Sequence, residues 1–221
     1  MTQRSDKPSF LKRLVLLIFG LFLSALGVAL LKNAALGVSP ISSAANIVSI
    51  AVPELSLGTW LIIWNCVLIW GQFLILRRDF RPVELLQLPL SVLFGLFTDL
   101  SMSILDFAEP GSYIECFALV VLGTVTMALG ISLTVIADVI MNSGEALVKA
   151  VSDKTGKAFG SVKIAFDACC VALAVALSFI LCGEILEVRE GTLVAALLTG
   201  VFVNLFGRLF TSFGNAESPA V

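Results

Sequence analysis

The chain has 221 residues, of which 58% are hydrophobic and only 14% charged, and its mean hydropathy is +1.04. A soluble domain carries about a quarter charged residues, so water cannot solvate the whole surface of this chain. The composition therefore excludes a soluble enzyme and predicts an integral membrane protein, whose partner is the lipid bilayer and not nucleic acid.

Six apolar segments are each long enough to cross a bilayer, which requires about 20 residues for a hydrocarbon core of about 30 Å. They cover residues 11–31, 59–76, 83–105, 116–137, 161–182 and 192–213. Only α-helices satisfy their backbone groups within a single segment of this length. The sequence predicts an all-α polytopic protein of about six transmembrane helices, with residues 1–221 forming a single membrane domain.

The first of these segments could be mistaken for a secretory signal peptide, because basic residues precede an apolar run. Residues 14–31 are uncharged over 18 positions, which is longer than the 7–15 residues of a signal core. We therefore predict that this segment is a transmembrane helix of the folded protein.

Residues 34–52 are also uncharged and long enough to cross. However, they contain Gly37, Pro40, Asn46 and several serines. A seventh crossing would also move the basic residues of 77–81 to the opposite side of the membrane. We predict a short helix that begins near Pro40 and either lies at the surface or enters the membrane partway.

The distribution of lysine and arginine gives the orientation, since cytoplasmic loops are enriched in both. Twelve of the 14 basic residues fall on the side of the N-terminus. They are Arg4, Lys7, Lys12, Arg13, Arg77, Arg78, Arg81, Lys149, Lys154, Lys157, Lys163 and Arg208. Only Lys32 and Arg189 fall on the other side, so both termini are predicted to be cytoplasmic.

The two halves of the chain resemble each other at a nearly constant offset of 102 to 105 residues. The matched positions are 25–30 with 128–133, Gly20 with Gly123, Gly58 with Gly160, Asn65 with Asp167, and 95–99 with 200–204. Their shared order predicts an internal repeat, with repeat A at about 11–106 and repeat B at about 114–213.

The repeat also decides the ambiguous segment. The counterpart of 34–52 is 137–155, which contains five charged residues. Each charge at the bilayer centre costs about 2.5–3.5 kcal/mol or more. Neither segment is then expected to cross, so each half has three crossings and a short helix after the first. An odd number of crossings places the halves in opposite orientations, as in the inverted repeats of many secondary transporters.

Among the polar residues inside the predicted spans, four are singled out as candidates: Asn65, Asp99, Asp167 and Asn204. They are candidates for a site that binds a cation or a proton in a cavity open to alternate sides, because intramembrane carboxylates are commonly functional. A structural role is the alternative, in which each amide bonds a carboxylate on a neighbouring helix. Lys163 stands four residues before Asp167 and could neutralise it.

The two short helices provide a second candidate site. Ser39 is a typical N-cap residue for the first helix and Asn142 or Ser143 for the second, and Pro40 suits the first position of a helix. A helix N-terminus exposed in a cavity attracts anions. Glu145 fits either a first-turn complement of the helix dipole or a residue of the site. The alternative for both segments is an amphipathic helix at the membrane surface.

Residues that carry catalysis are missing from the sequence. It has no histidine, which removes the commonest general base and metal ligand. Its cysteines show no C-x-x-C spacing and lie in or beside apolar runs: Cys66, Cys116, Cys169, Cys170 and Cys182. No nucleophile–base pair or phosphate-binding loop is visible either. We therefore expect no enzyme activity, no cofactor and no metal site.

Several short motifs resemble those of one family. They are Ala-Leu-Gly-Val-Ser-Pro at 35–40, Leu-Gly-Thr-Trp at 57–60, Phe-Gly-Leu-Phe-Thr-Asp at 94–99, and Gly191-Thr192 with Ala195 and Gly200. Together they cover most of residues 15–210, and the sequence resembles the YitT/YczE family of small bacterial membrane proteins. The resemblance implies a bacterial cytoplasmic membrane protein and brings no substrate or catalytic residues.

These observations together favour a secondary transporter or permease of an unidentified small molecule, coupled to protons through Asp99 and Asp167. The alternative is a non-transporting membrane protein that scaffolds, regulates or helps to mature a partner. A second copy of the chain, in a homodimer, is a further candidate partner.

Overall fold

A computed structural model of the protein describes residues 10–106, 110–157, 159–186 and 189–216. The described chain folds into α-helices joined by short loops, with two short 3₁₀ turns at Arg77–Asp79 and Pro82–Leu86. In chain order the α-helices are α1 (Phe10–Asn33), α2 (Pro40–Ala51), α3 (Leu57–Leu76), α4 (Gln87–Leu105), α5 (Tyr113–Ala137), α6 (Ser143–Thr155), α7 (Phe159–Cys182) and α8 (Glu190–Ala216).

Six of these helices are long and apolar enough to cross a membrane: α1, α3, α4, α5, α7 and α8. The prediction of an all-α, six-span membrane protein is therefore confirmed. The two remaining helices have 12 residues (α2) and 13 residues (α6). At 1.5 Å per residue they extend for about 18–20 Å, which is too short to cross. The prediction of two short non-spanning helices is also confirmed.

The centre of the bundle is the antiparallel contact between α1 and α5. Gly20 faces Gly130 and Gly27 faces Gly123, so closely that the backbones touch. A Cβ atom added to Gly27 would lie 2.7 Å from the carbonyl oxygen of Gly123. Because glycine has no side chain, helices in a membrane can approach closely at such positions and gain van der Waals contact.

The remaining helix contacts follow the order of the proposed repeat. α1 packs on α4 as α5 packs on α8, and α2 packs on α7 as α6 packs on α3. One pair departs from this pattern: α3 packs along α4, whereas α7 and α8 share no comparable contact in the described residues. The contacts support an internal repeat, and its inversion stays a prediction.

The short helix α6 enters the interior of the bundle. At its start, the Ser143 hydroxyl donates a hydrogen bond to Oδ1 of Asn65, the ninth residue of α3. At its end, Lys154 Nζ lies 2.6 Å from Asp79 Oδ2, just beyond the end of α3. α6 therefore begins beside the middle of a membrane-spanning helix and runs out to one end of the bundle, which is the geometry of a re-entrant helix.

The other short helix, α2, meets α6 at its tip. A Cβ atom added to Gly144 in the first turn of α6 would lie 2.9 Å from the Ile41 side chain in the first turn of α2. Most of α2 is buried, in contact with α3, α7 and α8. The N-terminal ends of the two short helices thus meet inside the bundle, and neither helix lies flat at the surface.

Candidate functional site

A cavity of about 710 Å³ opens at one end of the bundle. At this end α3 and α5 finish and α4 begins. Charged residues surround the mouth, among them Asp79, Arg81 and Lys154. The cavity extends to Ser24 and Phe94, near the middle of α1 and α4, and to Asn142 at the tip of α6. It therefore leads from the surface to the start of a re-entrant helix.

Two buried glutamines form part of the cavity wall. Gln72 of α3 and Gln87 of α4 exchange two hydrogen bonds, each of 3.0 Å between amide nitrogen and oxygen. Gln72 Nε2 also donates to the carbonyl oxygen of Ser143 at 2.9 Å. The side-chain amides thus tie α3, α4 and the start of α6 together. Neither glutamine was predicted as a site residue from the sequence, although an uncharged amide at the edge of an apolar span is a visible signal.

The tip of α6 brings together two of the predicted site residues. Asn142 is the N-cap residue, and its Oδ1 accepts a hydrogen bond of 3.0 Å from the backbone N–H of Ser143. Asn65 accepts the hydrogen bond from the Ser143 hydroxyl and is buried. Of these two, only Asn142 lines the cavity. Asn65 therefore positions the tip of the helix from behind the cavity wall.

Two of the carboxylates that line the cavity each have a buried oxygen: Glu145 in the first turn of α6 and Glu84 just before α4. In each, the Oε2 atom is shielded from solvent and accepts no hydrogen bond. Glu84 Oε1 lies 3.6 Å from Arg81 Nε, which gives that carboxylate a cationic neighbour. Glu145 has no ion pair within the described part of the chain. Glu145 was a predicted site residue, whereas Glu84 was not.

Asp99 does not line the cavity and instead caps α3. Its Oδ1 accepts a hydrogen bond of 2.8 Å from the backbone N–H of Gly58, and its Oδ2 accepts one of 2.6 Å from Ser56 Oγ. A carboxylate at a helix N-terminus is stabilised by the free N–H groups and by the helix dipole. Asn65 bonds Ser143 rather than Asp99, so the predicted alternative of an amide–carboxylate pair does not occur in this half.

Asp167 is also absent from the cavity lining. Its Oδ1 lies 2.6 Å from Nζ of Lys163, one turn earlier on α7. This ion pair is the neutralisation that the spacing of the two residues predicts. Asn204 belongs to α8, but its side chain lies outside the part of the chain that the structure describes.

Ser39 lies at the start of α2 and does not line the cavity. It is the N-cap residue, and its hydroxyl donates to Ser42 Oγ at 3.0 Å. The preceding loop is held by α8, because the Gly191 N–H donates to the Leu36 carbonyl oxygen at 2.9 Å. A Cβ atom added to Gly191 would lie 2.6 Å from that same oxygen. The start of α8 is therefore packed directly against the loop that leads into α2.

Comparison with known proteins assigns the chain to a family. The sequence profile of one family matches residues 11–208, which is nearly the whole chain. The chain belongs to the DUF6198 family, a family of unknown function. No curated protein and no solved structure matches this DUF6198 protein. The family match does not test the resemblance to YitT/YczE proteins, which stays a prediction.

Proposed function

We propose that this DUF6198 protein is a secondary transporter of a small molecule in the bacterial cytoplasmic membrane. The observation that carries the proposal is the cavity of about 710 Å³ that leads from one end of the bundle to the tip of α6. Its volume falls within the range of about 300–1,000 Å³ typical of small-molecule sites. Helix ends at membrane depth are tolerated where they line such a cavity, and broken helices form the substrate sites of many transporters.

The basic residues orient this pathway. The positive-inside rule places the end that holds Arg13, Arg77 and Arg81 in the cytoplasm, together with both termini. The cavity then opens inward, and the loop before α2 closes the outer side through its contact with Gly191. Because the proposed repeat relates α2 to α6, the outward-facing state would open a corresponding cavity beside α2.

The carboxylates that line the cavity are the better candidates for proton coupling. Asp99 is held by the N-terminus of α3, and Asp167 is held by Lys163 on its own helix. Glu84 and Glu145 line the cavity instead. If transport is coupled to protons, the proposal assigns the coupling to Glu145 and Glu84 rather than to the two aspartates.

The first test is cysteine accessibility from each side of the membrane. We propose Thr134→Cys, which lies on the cavity wall, with Thr98→Cys, which is fully buried and does not line the cavity, as the matched control. In vesicles of known orientation, a membrane-impermeant maleimide should label Thr134→Cys from the cytoplasmic side and leave Thr98→Cys unlabelled. Equal and slow labelling of both variants would contradict an open cavity.

The second test is flux. A thermal-shift screen of the purified protein against small molecules should find compounds that raise its unfolding temperature, and these compounds should then enter proteoliposomes containing the protein faster than empty liposomes. Compounds that bind but do not cross would favour the alternative role of a membrane scaffold or regulatory factor.

A further inference from the structure

We propose that the cavity binds a small organic cation, a protonated amine with an apolar body, and that Glu145 binds its charge. If the protein is the proposed transporter, this cation is its substrate, and that part of the proposal rests on the proposed function. The binding site itself does not depend on transport.

Acidic side chains outnumber basic ones around the cavity. Five acidic side chains line it and only three basic ones. All three basic residues are already paired: Arg81 with Glu84 at 3.6 Å, Lys149 with Asp153 at 3.5 Å, and Lys154 with Asp79 at 2.6 Å. The fourth carboxylate, Asp138, lies 3.2 Å from Arg13 Nη2. Within the described part of the chain, Glu145 is the acidic residue of the lining that remains without a cationic partner.

Glu145 has a buried carboxylate oxygen at the start of α6. It stands three residues after the N-cap Asn142, where a glutamate often bonds back to the N-cap N–H. Here its Oε2 is shielded from water and accepts no hydrogen bond from any residue that the structure describes. The positive end of the helix dipole favours the ionised carboxylate. A buried acceptor without a donor is nevertheless costly, and an ammonium group offers three donors.

The rest of the cavity lining is largely apolar. It includes Leu21, Phe94, Ile131, Val135, Ile140 and Met141. These side chains suit the hydrocarbon body of an amine, and the Phe94 ring adds a surface that attracts cations when they approach its face. An anion would instead meet an excess of carboxylates, so the dipole of α6 alone does not make this an anion site.

The test compares two thiol reagents of opposite charge on Thr134→Cys, a methanethiosulfonate with a trimethylammonium group and one with a sulfonate group. None of the five native cysteines lines the cavity, so the unsubstituted protein supplies the background rate. We expect the cationic reagent to react about tenfold faster than the anionic one, after correction for their rates with a free thiol, because a cavity of one sign concentrates its counter-ion.

A second substitution assigns this selectivity to Glu145. Glu145→Gln in the Thr134→Cys protein should remove most of the preference for the cation, while Glu54→Gln should leave it unchanged, because Glu54 is exposed in the loop between α2 and α3. Equal rates for the two reagents, or a preference for the sulfonate, would overturn the cation site. An unchanged preference in Glu145→Gln would overturn the role of Glu145.

A binding experiment separates the cation site from the proposed transport. Benzylammonium, benzyl alcohol and benzoate have similar shapes and different charges. Benzylammonium should slow the labelling of Thr134→Cys by an uncharged maleimide, whereas benzyl alcohol and benzoate should not. Protection without flux into proteoliposomes would leave the cation site standing and overturn transport. Protection and flux with benzoate or benzyl alcohol would overturn the cation site and leave transport standing.

Discussion

Two helix pairs that the repeat treats as equivalent are packed differently. α3 and α4 are in contact along their length, whereas α7 and α8 are not packed together in the described residues. A Cβ atom added to Gly95 of α4 would lie 2.6 Å from the carbonyl oxygen of Gly58. A Cβ atom added to Gly200, its counterpart in α8, would meet no atom of another described helix within 4 Å. Similar sequence motifs thus give a closed pair in one half and an open pair in the other.

Polar contacts account for part of this difference. α3 and α4 are joined near one end by Asp99, which caps α3, and near the other by the bonds between Gln72 and Gln87. In α7, the polar residue Asp167 bonds its own helix through Lys163. In the proposed transporter, the tied pair would act as a fixed frame, and the untied pair would be freer to move. The following predictions test that distinction.

The largest effect is expected for Gly58→Ala. The added Cβ would lie 2.1 Å from the Gly95 carbonyl oxygen and 2.6 Å from the Asp99 carboxylate carbon, so α3 and α4 would have to separate. Overpacking of this kind costs about 1–3 kcal/mol and occasionally more, and we expect the upper end of that range because one clash is with backbone. Thermal unfolding in detergent, followed by the fluorescence of the three tryptophans on α3, measures the loss.

The next largest effect is expected for Gln72→Leu. The substitution leaves the Gln87 amide and the Ser143 carbonyl group without their partner, and an unpaired buried polar group costs about 1–3 kcal/mol. The same unfolding measurement applies. Gln72→Leu combined with Gln87→Leu should cost less than the sum of the two single changes, because neither amide is then left unpaired. Additive losses would contradict the direct bonds between the two residues.

A smaller effect is expected for Asp99→Ala, which removes the acceptor for the Gly58 N–H and the Ser56 hydroxyl. Loss of a helix cap costs about 0.5–2 kcal/mol. Asp167→Ala is the comparison in the untied pair, and it breaks an ion pair within one helix rather than a bond between two helices. A lower unfolding temperature for Asp167→Ala than for Asp99→Ala would contradict these structural roles.

The sequence predicts the helices of this fold better than it predicts their contacts. Hydropathy and length give the six spanning helices, because lipid exposure demands long uncharged segments. Pro40 and Asn142 give the starts of the short helices, since capping depends on neighbouring residues. The pairing of Gln72 with Gln87 depends instead on how α3 packs against α4, which no local pattern contains. For the same reason the sequence singled out Asp99 and Asp167 as polar residues in spans but could not reveal that the cavity lies beside Glu84 and Glu145.

The smallest effect is expected for Gly200→Ala, the counterpart in α8 of the tightly packed Gly95. Because the new Cβ would meet no atom of another helix within 4 Å in the described residues, the substitution creates no clash with them. Alanine is favoured over glycine inside a helix by about 1 kcal/mol, so the unfolding temperature should stay constant or rise. A loss as large as that of Gly58→Ala would mean that α7 and α8 close on each other in the state that dominates in detergent. A loss only at high protein concentration, with a change in apparent mass, would instead place a second copy of the chain against Gly200. The unfolding temperature of Gly200→Ala thus distinguishes an open α7–α8 pair from one that is packed as closely as α3 and α4.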